Sequence, residues 1–327
     1  MRFSKLSVLV AAGITCLSFM GASSAHARDS RIGHSLVENS SDHEAFVLFG
    51  DKLKELSGGE LTVTIFPNSI LGGEREMAEQ VLNGALDICR VGGQVIETFF
   101  PRYAALNIPY LFRDFDHLKK FIKSDVAHKY LLDATADAGF KGLWFETAAP
   151  RSFYASSKIE KPEDLDGLKM RVPEAQMSID TVKLLGGQPT PLSSAEVYSA
   201  LQQKVIDGAE NNFVFYVQSR QCEVAKYYCA DEHSMPPNLV IMSQYVWDDL
   251  SDQEKQWVAE ASEFARDEQM RLYEEELATY TAQIKDLGIE YITLDKAPFV
   301  EKTKSILDAE MQNPDRADLI KAIQAIK

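Results

Sequence analysis

The chain has 327 residues, with 34 Lys and Arg against 49 Asp and Glu, a formal net charge of −15. Its 45% hydrophobic and 25% charged residues are a globular balance and exclude a largely disordered chain. The length calls for two domains, and an acidic chain without a basic stripe excludes a nucleic-acid backbone as partner.

The first element read in chain order is a leader. Arg2 and Lys5 form a basic start and residues 6–20 an apolar stretch shorter than the ~20 residues of a membrane span. Ala25-His26-Ala27 is a small-residue cleavage signal, so the sequence predicts a secretory signal peptide over residues 1–27, cleaved after Ala27, with Cys16 discarded. The mature chain is then 300 residues at −17, since Arg2 and Lys5 leave with the leader. No later apolar run approaches a membrane span. The product is expected to be exported, soluble and, in a Gram-negative cell, periplasmic. Of the remaining cysteines, Cys89, Cys222 and Cys229, an odd count allows at most one bridge within the chain; Cys222 and Cys229 are close enough in sequence to form it.

Helical and strand patterns then alternate, which is an α/β signature. Residues 32–36 read as a strand. Ser41 with Glu44 fits a capping box opening a helix through Leu56, ended by Gly58-Gly59. Residues 61–66 alternate like a strand, a helix covers 74–82, Asn83-Gly84 turns into the apolar run 85–91, and a helix covers 115–122. Residues 141–146, 151–155 and 169–172 read as strands, the last cut by Pro173. Residues 174–185 are helical up to Gly186-Gly187. Ser193 with Glu196 caps a helix through Leu201, and Asp207-Gly208 turns into a strand over 209–213. Ser251 with Glu254 caps a long three-four pattern running to about residue 287 without an internal Pro or Gly. Read as one helix it crosses both domains; two helices with an unmarked break are the alternative.

Several chemistries have no motif here. Nucleotide-binding loops, a G-x-S-x-G elbow, an H-E-x-x-H zinc site and C-x-x-C are all missing from the mature chain, and its histidines are scattered. No cofactor and no metal is expected, and the reading moves from enzyme to binding protein. Two arginines sit among apolar neighbours, Arg151 at a strand start and Arg171 within residues 169–172. A guanidinium in such a setting needs an anionic partner, because its charge is costly to bury and cannot be lost by deprotonation. That partner is either a protein carboxylate or a ligand carboxylate, which the fork of an arginine matches bidentately. Asn211-Asn212 offers amides suited to the same groups, or an ordinary turn.

Residues 162–212 carry a set of ordered motifs: DLxGLKxRVPE, GGQPTPL, AEVYSALQ and VIDGAENN. With SILGGEREM at 69–77, GALDICR at 84–90 and ALNIPYLFRD at 105–114, they span essentially the whole mature chain. The sequence resembles the DctP-like solute-binding proteins of tripartite ATP-independent periplasmic (TRAP) transporters. The resemblance implies an α/β, two-domain periplasmic-binding-protein-like fold, with two sheets flanked by helices, hinge strands and one long domain-spanning helix. It places domain I at 28–148 plus about 237–275, domain II at 149–236 plus about 276–327, and the crossing helix at 251–287.

The resemblance also implies residue roles. Arg171 matches the arginine that pairs with the ligand carboxylate, Arg151 a second basic contact, and Asn211 the asparagine that orients the carboxylate. Glu74 and Asn212 are expected to read hydroxyls, and Arg90 to reach the cleft from the first domain or to pair with Asp87. Asn212 and Ser194 replace a Pro and a Phe of sialate-binding members, which disfavours sialate. The GAENN form with YYCADEHSM at 227–235 looks like the sugar-acid branch, so a hexuronate or aldonate is the expected ligand and a TRAP membrane permease the expected partner of a monomeric receptor. A four-carbon dicarboxylate or hydroxy-acid binder, a periplasmic sugar-acid enzyme and a sensor subunit are the competing readings.

Overall fold

The computed structural model describes residues 27–327. The leader and Cys16 therefore lie outside the described residues, apart from Ala27. Two sheets organise the rest. The first contains β1 (Arg28–Gly33), β2 (Leu61–Phe66), β3 (Ile88–Val91), β4 (Phe140–Glu146) and β10 (Asn238–Ser243), in the order β2-β1-β3-β10-β4. β1 runs parallel to β2 and β3, and β10 is antiparallel to β3 and β4. The second contains β5 (Arg151–Ala155), β6 (Lys169–Val172), β7 (Gln188–Pro191), β8 (Gly208–Asn212), β9 (Tyr227–Ser234) and β11 (Glu290–Thr293), in the order β11-β9-β5-β8-β6-β7.

The central strands carry short apolar runs because helices cover both faces. On the first sheet, Ile32, Ile88, Trp144 and Val240 pack against Phe46 and Phe49 of the helix Ser41–Leu56. On the second, Phe153, Met170 and Val172 pack against Val182 and Leu185 of the helix Gln176–Leu185. The chain crosses between sheets at residues 147–150 and again at 235–237.

The long helix is Asp252–Ala282, 31 residues, or about 46 Å at 1.5 Å per residue. Ser251 and Glu254 form the expected capping box: Glu254 N–H donates to Ser251 Oγ at 3.3 Å, and Ser251 N–H to Glu254 at 2.7 Å. Val258, Ala261 and Ala265 pack into the first sheet's core, and Leu277 and Tyr280 against the second's. Between them the helix grips the crossing. Gln269 Oε1 accepts from Thr147 N–H at 2.9 Å, and Tyr273 Oη accepts from Ala149 N–H at 2.9 Å.

Several local expectations shift. The first helix is capped by Ser40, not Ser41: His43 N–H donates to Ser40 Oγ, and the Ser41 hydroxyl instead donates to Glu276 of the long helix at 2.7 Å. β1 begins at Arg28, earlier than the expected 32–36, because Arg28 already pairs with Leu61. The helix after Pro173 starts at Gln176. The long helix ends at Ala282 rather than 287: the chain turns there and reaches Gly288, whose φ of +63° a side-chain-bearing residue disfavours. The last helix, Ala317–Ala325, buries Leu319, Ile320 and Ile323 in the first sheet's core, although the sequence reading counted 276–327 with the second domain. Cys89, Cys222 and Cys229 are all free and buried, so no Cys222–Cys229 bridge forms. Among the described residues no helix is long and apolar enough to cross a membrane.

Candidate functional site

The site sits where both sheets present the carboxyl ends of parallel strands, the usual place for a ligand in open α/β sheets. β3 brings Arg90, β6 brings Arg171, and β8 ends on Asn211 and Asn212. β5 runs antiparallel to β8 with Arg151 opposite Asn212, so its first residue reaches the same end. The helix Glu74–Leu82 supplies Glu74 at its first position. All six sequence-predicted residues line one cavity of about 60 Å³. The apolar setting of two arginines, the amides of Asn211-Asn212 and the family resemblance point to these six, but not to Gln94, Asn238 or Phe215, which join them on the wall. Gln94 lies in the loop after β3, Asn238 opens β10 and Phe215 sits in the helix Phe213–Gln218, and no local pattern brings the three together.

The three arginines are all buried, but their partners differ. Arg90 donates from Nε to Glu146 at 3.0 Å and from Nη1 to Glu74 at 2.5 Å. Its expected alternative partner, Asp87, pairs with Arg31 instead. Burial pulls the Arg90 pKa down, but the carboxylates of Glu74, Glu146 and Asp42 outweigh it, and the net shift is upward. Burial, with the Asp42 charge beside it, pushes the Glu146 carboxyl well above the usual range. Glu74 also accepts from Ser35 Oγ at 3.0 Å and from Gly92 N–H at 3.1 Å. The residue expected to read a ligand hydroxyl is thus largely engaged in holding Arg90.

Arg151 is engaged more fully. Nε and Nη2 donate to the Glu210 carboxylate at 2.6 and 2.8 Å, Nη2 also to the Glu210 carbonyl at 3.0 Å, and Nη1 to Asn211 Oδ1 at 2.7 Å. Glu210, next to Asn211 on β8, was not singled out from the sequence; a lone acid in a short buried strand is the signal that could have found it. Burial raises the Glu210 pKa, but Arg151 and His233 bring it down to about 2. Burial lowers that of His233, and Asp231 and Glu210 more than reverse this, to about 9.

Arg171 has no such partner. Nε and Nη2 donate to the Leu192 carbonyl at 2.9 and 2.7 Å. Among the described residues no carboxylate lies within salt-bridge distance of it, and Nη1 has no hydrogen-bond partner. The residue is 4% exposed, and burial lowers its pKa. Beside it, Asn211 Oδ1 is held by Arg151 Nη1 and by Asn212 N–H, which leaves the Asn211 Nδ2 donor free for the cavity. Asn212 Oδ1 accepts from Phe215 N–H at 2.9 Å and so caps the helix Phe213–Gln218. The arrangement presents a guanidinium and an amide donor, both preorganised, toward the cavity.

Comparisons with known proteins cover most of the chain. The model of bacterial extracellular solute-binding protein family 7, DctP, matches residues 32–313. The 2,3-diketo-L-gulonate-binding periplasmic protein YiaO of Escherichia coli strain K12 is 30% identical over 98% of this chain and 99% of its own. A TRAP periplasmic solute-binding protein from Xanthobacter autotrophicus, solved with β-D-galacturonate, is 32% identical with a TM-score of 0.88 over 91% of this chain and all of its own. Another from Pseudomonas putida F1, solved with D-glucuronate, is 31% identical with a TM-score of 0.89 over 92% of this chain and 98% of its own.

Proposed function

The chain belongs to the DctP family of bacterial extracellular solute-binding proteins, and from that premise we propose that its cavity captures a hexuronate or aldonate by the carboxylate. It is a solute-binding receptor of the TRAP class, not an enzyme. The observation that carries the ligand reading is Arg171, a buried guanidinium with no acid of its own. A ligand carboxylate completes that pair, with Asn211 Nδ2 fixing its orientation and Arg151 holding Asn211 in place. Gln94, Asn238 and the serines at 193 and 194 face the remainder of the cavity and suit hydroxyl groups. Glu74, Arg90 and Asn212 complete the wall. The cavity volume suits a compact small molecule and not a polymer.

The overall negative charge does not oppose this. Charges beyond about 8–10 Å are screened at physiological salt, while Arg171 acts at contact. The filled receptor, exported to the periplasm, then delivers the acid to a TRAP membrane permease.

A thermal-shift screen of the mature protein against uronates, aldonates, sialate and four-carbon dicarboxylates tests the reading, since a ligand that binds only the folded state raises apparent stability. D-Glucuronate, D-galacturonate or an aldonate is expected to give the largest shift. A larger shift with succinate or malate would move the ligand class to dicarboxylates. Conversion of a uronate to product would replace the receptor with an enzyme.

A further inference from the structure

The two sheet units are joined by the crossings at 147–150 and 235–237 and by the long helix. They also touch outside the ligand cavity, and one of those contacts is made by a carboxylate. Glu97 belongs to the first unit, in the 3-10 turn Val95–Thr98 that follows cavity residue Gln94. Its Oε2 accepts from Asn107 Nδ2 of the same unit at 2.7 Å. Its Oε1 accepts from the N–H of Met177 at 3.1 Å. Met177 lies in the first turn of the helix Gln176–Leu185 of the second unit, directly downstream of β6 and Arg171.

That helix lacks a cap of its own. Its N-cap residue is Ala175, in extended backbone conformation and with no side-chain acceptor. Uncapped first-turn N–H groups need an acceptor, and a carboxylate is favoured at this end of the helix dipole. Here the acceptor comes from across the cleft. The Met177 side chain packs into the first sheet's apolar cluster, and Thr98 Oγ1 lies 3.5 Å from the Glu174 carbonyl.

We infer that Glu97 is a positioning residue for ligand capture, a cap on the helix Gln176–Leu185 that forms only when the two units meet. The cavity arginines and asparagines are each no more than 8% exposed, and parting of the units opens them to a ligand. Parting withdraws Met177 N–H from Glu97 and leaves the helix start to water. A contact present in one state alone shifts the equilibrium toward that state and tightens apparent affinity by its own free energy. The inference rests on the receptor reading above for its choice of ligand.

Three variants test it: Glu97→Ala, Glu97→Gln and Ala175→Ser, with D-glucuronate and D-galacturonate as probes. Glu97→Ala is expected to raise Kd about 3- to 30-fold, the size of a lost helix cap, chiefly through faster dissociation, with little change in the melting temperature of the ligand-free protein. Glu97→Gln keeps an oxygen acceptor and recovers part of the loss. Ala175→Ser gives the helix an acceptor of its own in both states. It is expected to raise the ligand-free melting temperature while weakening affinity, a combination that a merely structural role for Glu97 does not produce. Unchanged Kd in Glu97→Ala, or tighter binding in Ala175→Ser, overturns the inference. Failure of the unmutated protein to bind either acid counts against the ligand class instead. Hydrogen exchange at the Met177 amide, in the protein bound to whichever acid of the thermal-shift panel gives the largest shift, then decides: faster exchange in Glu97→Ala supports the cap, and unchanged exchange overturns it.

Discussion

The two sheets hold their buried arginines in opposite ways. On the first, Arg90 lies between Glu74 and Glu146, and the charge is balanced within the protein. On the second, Arg151 is balanced by Glu210, but Arg171, two strands away at the same end of the sheet, meets only the Leu192 carbonyl. All three line one cavity, so burial alone does not distinguish a structural arginine from a binding one. What distinguishes them is the carboxylate inventory: a guanidinium already paired shapes the wall, and one left without an acid retains affinity for an anion that arrives from outside.

The sharpest way to break this comparison is to remove the unpaired arginine. Arg171→Ala should weaken uronate binding by about a hundred- to several thousand-fold in calorimetric titration, from about 3–5 kcal/mol for breaking a buried charged pair, and leave the ligand-free protein as stable as before or more so. Glu210→Ala should do the reverse. It strands Arg151 in the core and leaves His233 only Asp231, and stability in a denaturant titration should fall by about 3–5 kcal/mol.

The same cluster predicts a pH profile. Glu210 is depressed to about 2, below its unfolded value of 4.5, so its contribution is present above pH 4.5 and lost as pH falls from there toward 2. His233 is raised from 6.5 to about 9, so its contribution is full below pH 6.5 and lost as pH rises to 9. Ligand-free stability should therefore peak between about pH 4.5 and 6.5, and His233→Asn should flatten the alkaline decline; a decline unaltered in that variant would remove His233 from the account. The smallest effect on stability belongs to Asn212→Ala, which loses the cap on Phe215 N–H and should cost about 1 kcal/mol in the same denaturant titration.

Much of this was legible in the sequence, and the limits have physical causes. Strand and helix periodicity located β2, β5 and β6 and the helices Glu74–Leu82 and Phe115–Ile122, because local alternation decides those elements. The Ser251–Glu254 box was readable since both partners lie within one turn. Ser40 and Ser41 were not separable in the same way: either can cap, and the choice was settled by Glu276, more than two hundred residues away, which takes the Ser41 hydroxyl. The arginines were visible as charges among apolar neighbours, but their partners were not. Glu210 and Glu146 reach Arg151 and Arg90 only through strand register, and no spacing rule carries that information. For the same reason Asp87 was a plausible partner for Arg90 in sequence and bonds Arg31 in space.

The most direct test of the central claim compares D-glucuronate with D-glucuronamide, its neutral analogue of nearly the same shape, by calorimetric titration of the mature protein. If Arg171 is the open anion site, the acid binds and the amide binds at least about a hundredfold more weakly, the loss expected when a charge-assisted pair is left incomplete. Equal affinity for the two, or full affinity for the acid in Arg171→Ala, would contradict it.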